Sequence, residues 1–227
     1  MNTVLQLPIK PPLIVGITGL SASGKTTLAR EVRTLLKKLF PQVRVAIVGG
    51  DNFYKDLSHL QPEERKKTDF DSPDAVDHES MRRALLTARE TGSTTTPVYS
   101  FLTQSVEPEK VVTVGPVDIV IVESFCLFFD EAVRNLLDIR VFLIVPENTC
   151  KERRVYRDIS ERGHTLQRVE EQWKEQVLPN YYEHYLGTMQ YANLVLNGGG
   201  LNPDNPPHIL RFILEHLQYR GNVRFTS

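Results

Sequence analysis

Eight residues, GLSASGKT at positions 19–26, restrict what this chain can fold into more than any other stretch. They fit the spacing G-x-x-x-x-G-K-S/T. They follow the β-branched run LIVGIT (13–18) and precede Leu28, Val32, Leu35, Leu36 and Leu39, which recur at helical spacing. Strand, glycine-rich loop and helix in that order gather backbone N–H groups and the positive end of a helix dipole around one small volume, a cradle for phosphate. Gly19 and Gly24 let the backbone curl inward, while Ser21, Ala22, Ser23 and Thr27 complete the loop and the first turn. Lys25 is placed to reach the outer phosphates of a nucleoside triphosphate, and Thr26 to offer its hydroxyl to magnesium.

The remaining segments supply the rest of an α/β sheet. VRVAIV (43–48), VDIVIVES (117–124) and IRVFLIV (139–145) are continuous apolar runs, as expected of parallel strands covered on both faces. Helices are expected over 77–91, with Asp77 as N-cap, and over 130–137, 148–161 and 166–185. A last strand is expected at 193–196 and a final helix over 207–217. TTTPVYSF and EKVVTV flank LTQSVEP too closely for a crossover helix, so they read as a β-hairpin standing off the body as a flap. This alternation predicts one doubly wound α/β domain over residues 1–227 with a mainly parallel sheet, a flexible start (1–11) and a tail (218–227).

Charge and cysteine usage exclude several classes. Lys plus Arg number 27 against 28 Asp plus Glu, and the net charge of −1 gives no field to collect nucleic acid or anionic membrane, so neither is expected as a partner. The two cysteines, Cys126 and Cys150, are too few for a disulfide framework and have no zinc spacing. With no basic leader and no apolar run of about 18 residues, the chain is expected in the cytoplasm. A guanine-specific switch would carry N-K-x-D and D-x-x-G segments, and neither occurs. The second strand ends instead in GGDNFYKD. Asp51 lies just past the strand's C-terminal end, where open α/β sheets bind ligands, and serves either as base toward an acceptor hydroxyl or as the cap of a following turn.

The segments GLSASGKTT, DNFYK, DFDSPDAVD, PVYSF, VDIVIVES and RRVYRDISERG follow one another in the order, and at roughly the spacing, of uridine and cytidine kinases. From about residue 13 to about residue 217 the chain resembles that branch of the family that also holds phosphoribulokinase and pantothenate kinase. The resemblance implies a P-loop kinase fold with a helical lid, the use of ATP and magnesium, and phosphoryl transfer to the 5′-hydroxyl of uridine or cytidine. On it, Asp51 is the base, Tyr54 lies near the nucleoside, Asp71 beside Phe70 takes the ribose hydroxyls, and Tyr99 and Phe101 border the base. Glu123 joins Thr26 at magnesium, and Arg154, Arg157 and Arg162 form a cationic lid face over the triphosphate and the transferring group. Gln172 is a nucleoside contact, and the loop 197–202 is where adenine rests.

Three departures from that pattern stand out. The resembled enzymes carry a flap histidine and, two residues on, an arginine, where this chain has Gln104 and Val106. Gln104 is therefore expected to read the base from a flap held less firmly. His164 replaces the last arginine of E-R-G-R in the lid, and Ser124 replaces the glycine after the magnesium strand. A kinase for another riboside, such as nicotinamide riboside, or for a small alcohol stays open. So does a nucleotide-binding regulatory protein without turnover, and so does homo-oligomerisation, although the resembled enzymes are commonly tetrameric.

Overall fold

Along the strand Leu13–Gly19 successive side chains go to opposite faces: Leu13, Val15 and Ile17 pack into one hydrophobic layer and Ile14 into another. Every residue of this strand is buried, as a central strand covered on both faces requires. The computed structural model describes residues 2–65, 67–198 and 202–226. Its first half comprises β1 (Asn2–Leu5), β2 (Leu13–Gly19), α1 (Lys25–Leu39), β3 (Val45–Gly49), α2 (Pro62–Arg65), α3 (His78–Thr91), β4 (Thr94–Ser100) and β5 (Ser105–Val114). There follow β6 (Ile119–Glu123), α4 (Glu131–Arg134), β7 (Ile139–Ile144), α5 (Glu147–Ser160), α6 (Leu166–Gln172), α7 (Leu178–Asn180), β8 (Leu194–Asn197), α8 (Asn205–Tyr219) and β9 (Val223–Thr226).

Five strands form a parallel sheet in the order β3-β6-β2-β7-β8. On one face Leu28, Val32 and Leu36 of α1 meet Ile209, Ile213 and Leu217 of α8 over the odd-numbered side chains of β2. On the other, Met81, Leu85 and Ala88 of α3 pack with Trp173, Val177, Tyr181 and Tyr185. Because all five strands run the same way, their C-terminal ends share one edge. The P-loop, the 3₁₀ turn Gly50–Phe53 and Glu123 all emerge there. Both free cysteines are buried. Among the described residues no helix is long and apolar enough to cross a membrane.

The hairpin is present as expected, β4 against β5 from Thr94↔Val114 to Ser100↔Ser105, with an irregularity between Pro97 and Tyr99. Asp77 caps α3 by accepting from Ser80 N at 2.9 Å. The helix expected over 166–185 is less regular than its pattern. After α6 it widens into π-type turns at Trp173–Val177 and Tyr181–Tyr185 on either side of α7, which contains Pro179, a residue with no amide hydrogen for the helix ladder. The expected start and tail lie against each other. Residues Asn2–Leu5 pair antiparallel with Val223–Thr226, and Ile9 is buried with its N–H on Asp118 Oδ1 at 3.0 Å. Strand pairing satisfies backbone groups that neither end satisfies alone.

Candidate active site

The loop entering α1 has the backbone its glycines dictate. Gly24 takes φ 93°, in the left-handed region, as N-cap of α1, and a Cβ on Gly19 would stand 2.7 Å from Leu143 O. Lys25 is buried and donates from Nζ to the carbonyls of Gly19 (3.1 Å) and Leu20 (3.0 Å), which leaves one N–H uncommitted. Desolvation lowers its pKa, opposed by the charges of Glu123 and Asp51. Ser23 Oγ is buried without a hydrogen-bond partner among the described residues. Thr26 Oγ1 donates to Glu123 Oε1 at 2.9 Å. Burial raises the Glu123 carboxyl to about 7, Asp51 pushing the same way and Lys25 against it.

This hydroxyl and carboxylate form a hard oxygen pair suited to magnesium, which takes one or two protein ligands and completes its shell with phosphates and water. Among the described residues no group of three or more His, Cys, Asp or Glu could hold a metal without such help. Ser124 fits beside Glu123 because Gly50 has no side chain. A Cβ on Gly50 would lie 2.2 Å from that of Ser124.

Next to the phosphate loop lies a pocket of about 80 Å³, walled by Tyr54, Phe70, Tyr99, Phe101 and Phe125 and floored by Asp51 and Asp71. The rings of Tyr54 and Tyr99 are 5.0 Å apart, those of Tyr54 and Phe70 5.5 Å, and those of Tyr99 and Phe101 5.4 Å. Burial pushes the Tyr54 and Tyr99 phenols well above their ordinary value, so both stay protonated donors. Arg154 grips Asp71 with two hydrogen bonds of 3.1 Å and donates from Nη1 to Ser21 Oγ at 2.8 Å, tying the pocket to the P-loop.

The other lid arginines converge on Asp158, with Arg157 Nε at 2.7 Å and Arg162 Nη1 at 3.3 Å. Arg162 also stacks over the Phe101 ring at 3.8 Å, so lid and flap touch. Gln104, His164 and Gln172 complete the wall, and His164 Nδ1 and Gln172 Oε1 are buried without partners among the described residues. Burial, then the nearby guanidiniums, lower the His164 pKa. The ring is therefore neutral at neutral pH and does not restore an arginine's charge.

The structure thus gathers Ser21, Asp51, Tyr54, Phe70, Asp71, Tyr99, Phe101, Gln104, Arg154, Arg157, Arg162 and Gln172 around one pocket, with Lys25, Thr26 and Glu123 beside it. Three expectations change. Arg154, Arg157 and Arg162 do not form an open cationic face, because Asp158 and Asp71 occupy them. The flap lacks an arginine at 106 but is braced from outside, by Arg65 Nη1 on Thr103 O at 2.9 Å and by Arg162 on Phe101. Thr27 faces a separate groove with Glu31, Asn202, Pro203, Pro206 and Pro207, and residues 199–201 of the expected adenine loop lie outside the described residues. Phe125 was missed, and of the two readings of the lid helix the pairing of its arginines with Asp158 is the one present. The Arg154, Asp158, Arg162 spacing on consecutive helical turns is the one local signal for the latter.

A larger cleft of about 690 Å³ lies at the opposite end of the sheet. Its arginines, Arg44 and Arg89, are already bonded to Asp118 and Asp138.

Comparison with known proteins follows the same line. The model of the Phosphoribulokinase / Uridine kinase family matches residues 14–202. A uridine kinase of Shewanella amazonensis is 35% identical over 205 residues, 90% of this chain and 96% of the relative. That of Brevibacillus brevis is 36% identical over 191 residues, 84% of this chain and 87% of the relative. Among solved structures, phosphoribulokinase from Rhodobacter spheroides superposes with TM-score 0.62 at 15% identity, covering 84% of this chain and 71% of its own. D-glycerate 3-kinase from Cryptococcus neoformans gives 0.59 at 17%, covering 83% and 87%. These two share the fold.

Proposed function

The chain belongs to the Phosphoribulokinase / Uridine kinase family, and on that premise we propose that it transfers the terminal phosphoryl group of ATP to the 5′-hydroxyl of uridine or cytidine, a step of pyrimidine salvage. The observation that carries this reading is the position of Asp51. It lines the acceptor pocket and also lies near enough to Lys25 and Glu123 for their charges to act on one another. A carboxylate so placed meets an acceptor hydroxyl on one side and the phosphate loop on the other.

In the step, Asp51 takes the 5′ proton while the 5′ oxygen bonds to the γ-phosphorus. The bond from that phosphorus to the bridging oxygen breaks, and ADP leaves. Lys25, through its uncommitted N–H, and Arg157 and Arg162 stabilise charge on the transferring oxygens. Thr26 and Glu123 would hold magnesium, which when bound neutralises the terminal phosphates. Asp71, fixed by Arg154, offers its remaining lone pairs to the two ribose hydroxyls, and Tyr54, Phe70, Tyr99 and Phe101 receive the base. Neutral His164 contributes no charge to the triphosphate.

The test is ADP release measured with MgATP against a panel of nucleosides. Uridine and cytidine are expected within about tenfold of each other. 2′-Deoxyuridine is expected at least about tenfold slower, for one charge-assisted hydrogen bond worth about 1.5 to 3 kcal/mol. Absence of ADP release with every nucleoside of the panel overturns the nucleoside acceptor, and release with a different riboside alone overturns uridine and cytidine.

A further inference from the structure

Asp158 is 1% exposed, and the mechanism above gives it nothing to do. It sits on α5 with three guanidiniums around one carboxylate. Arg157 Nε and Arg162 Nη1 share Oδ1, at 2.7 and 3.3 Å, and Arg154 Nε approaches Oδ2 at 3.3 Å without a proper hydrogen bond. Its backbone carbonyl accepts from His164 N at 2.9 Å, which folds the segment after the helix back onto it.

Three guanidiniums, one buried and two half-buried, do not gather unaided. Burial and the charge of Arg157 both work against the charge on Arg162. The partners are also unequal. Arg154 is held independently by Asp71 and Ser21 and is 8% exposed in its side chain, whereas Arg157 and Arg162, at 29% and 19%, have Asp158 as their shared carboxylate.

We propose that Asp158 is the positioning residue of the lid, directing Arg157 and Arg162 into the pocket before a triphosphate arrives and acting on the reaction through them. Donors aimed in advance need no reorganisation when charge develops, so the benefit falls on the chemical step. Its own negative charge opposes a bound triphosphate. Removing it therefore slows turnover without weakening nucleotide binding, a combination that general loss of structure does not produce. The inference rests on the proposed kinase reading.

The experiment compares wild type with Asp158→Asn, which keeps the shape and removes the charge. Turnover is measured with MgATP and uridine, and calorimetry is run with magnesium and a non-hydrolysable ATP analogue. Expected are a kcat lowered about 10- to 100-fold, analogue affinity unchanged or a few-fold tighter, and a double variant Arg157→Ala/Asp158→Asn no more than about threefold slower than Arg157→Ala alone. Full kcat in Asp158→Asn overturns the proposal. A kcat loss accompanied by weaker analogue binding, or effects that simply multiply in the double variant, also overturns it.

If Asp158→Asn does not fold, Asp158→Glu takes its place. A carboxylate one methylene longer misdirects the arginines, so a several-fold lower kcat with unchanged analogue affinity is expected, and wild-type kcat refutes the claim. A wild-type chain that binds the analogue but phosphorylates neither pyrimidine riboside sinks the acceptor reading alone. Asp158 is then judged by calorimetry, where weaker analogue binding in Asp158→Asn counts against it and unchanged or tighter binding for it.

Discussion

Asp51 and Lys25 differ in what their removal does, although both are charged and adjoin the same space. On the proposed function, Lys25 acts on phosphate in the ground state and in the transition state, whereas Asp51 is needed only when the acceptor proton leaves. Asp51→Asn is therefore expected to lower kcat by roughly 10² to 10⁴ with ATP affinity nearly intact, measured by steady-state kinetics beside nucleotide titration. A variant with near wild-type kcat removes Asp51 from the chemistry. Asp71 shows how one carboxylate serves two partners. Its bidentate grip by Arg154 fixes its orientation, and each oxygen retains a lone pair for a ligand hydroxyl.

At the scale of elements, the proposed function gives the flap the reading of the base. Gln104 holds φ 52° in the turn between β4 and β5 and lines the pocket with an amide that both donates and accepts, so it can answer a 4-oxo or a 4-amino group. Gln104→Ala is expected to reduce kcat/KM for uridine and cytidine alike by about 10- to 100-fold with ATP affinity unchanged. Unaltered pyrimidine kinetics would place base recognition elsewhere. The elements themselves were largely readable. The P-loop, the apolar strands, the Asp77 cap and the hairpin are set by neighbours within a few residues. What escaped reading depends on convergence. Phe125 and Arg65 come to the site and its flap only when the segment after β6 and α2 fold onto them. The pairing of β1 with β9 joins segments more than 200 residues apart, for which no local pattern exists. The π-type turns beside Pro179 keep a helical periodicity while altering its pitch.

For the molecule as a whole, stability and function sit at opposite ends of the sheet. At the end away from the P-loop, Asp118 is fully buried and accepts from Ile9 N, from Arg44 N and twice from the Arg44 guanidinium, joining the starts of β3 and β6. These bonds hold its carboxyl below the ordinary value against the effect of burial. A carboxyl depressed in the folded state stabilises fully above its unfolded pKa of about 4 and ceases to do so as pH falls through the lower folded value. Asp118→Ala is expected to cost about 2 to 3 kcal/mol at neutral pH and to lose less stability on acidification than wild type, as chemical denaturation at several pH values would show. Equal acid sensitivity in the two proteins rules Asp118 out as a source of it. At the other end, a pocket of about 80 Å³ falls short of the roughly 300 Å³ at which small-molecule sites begin, and Arg162 over Phe101 ties two of its walls together. On the proposed function, acceptor entry is expected to require that contact to part. In stopped-flow mixing the observed association rate should level off at high uridine concentration, at a ceiling set by opening, and Phe101→Ala should raise that ceiling even as it loosens the equilibrium grip on the base.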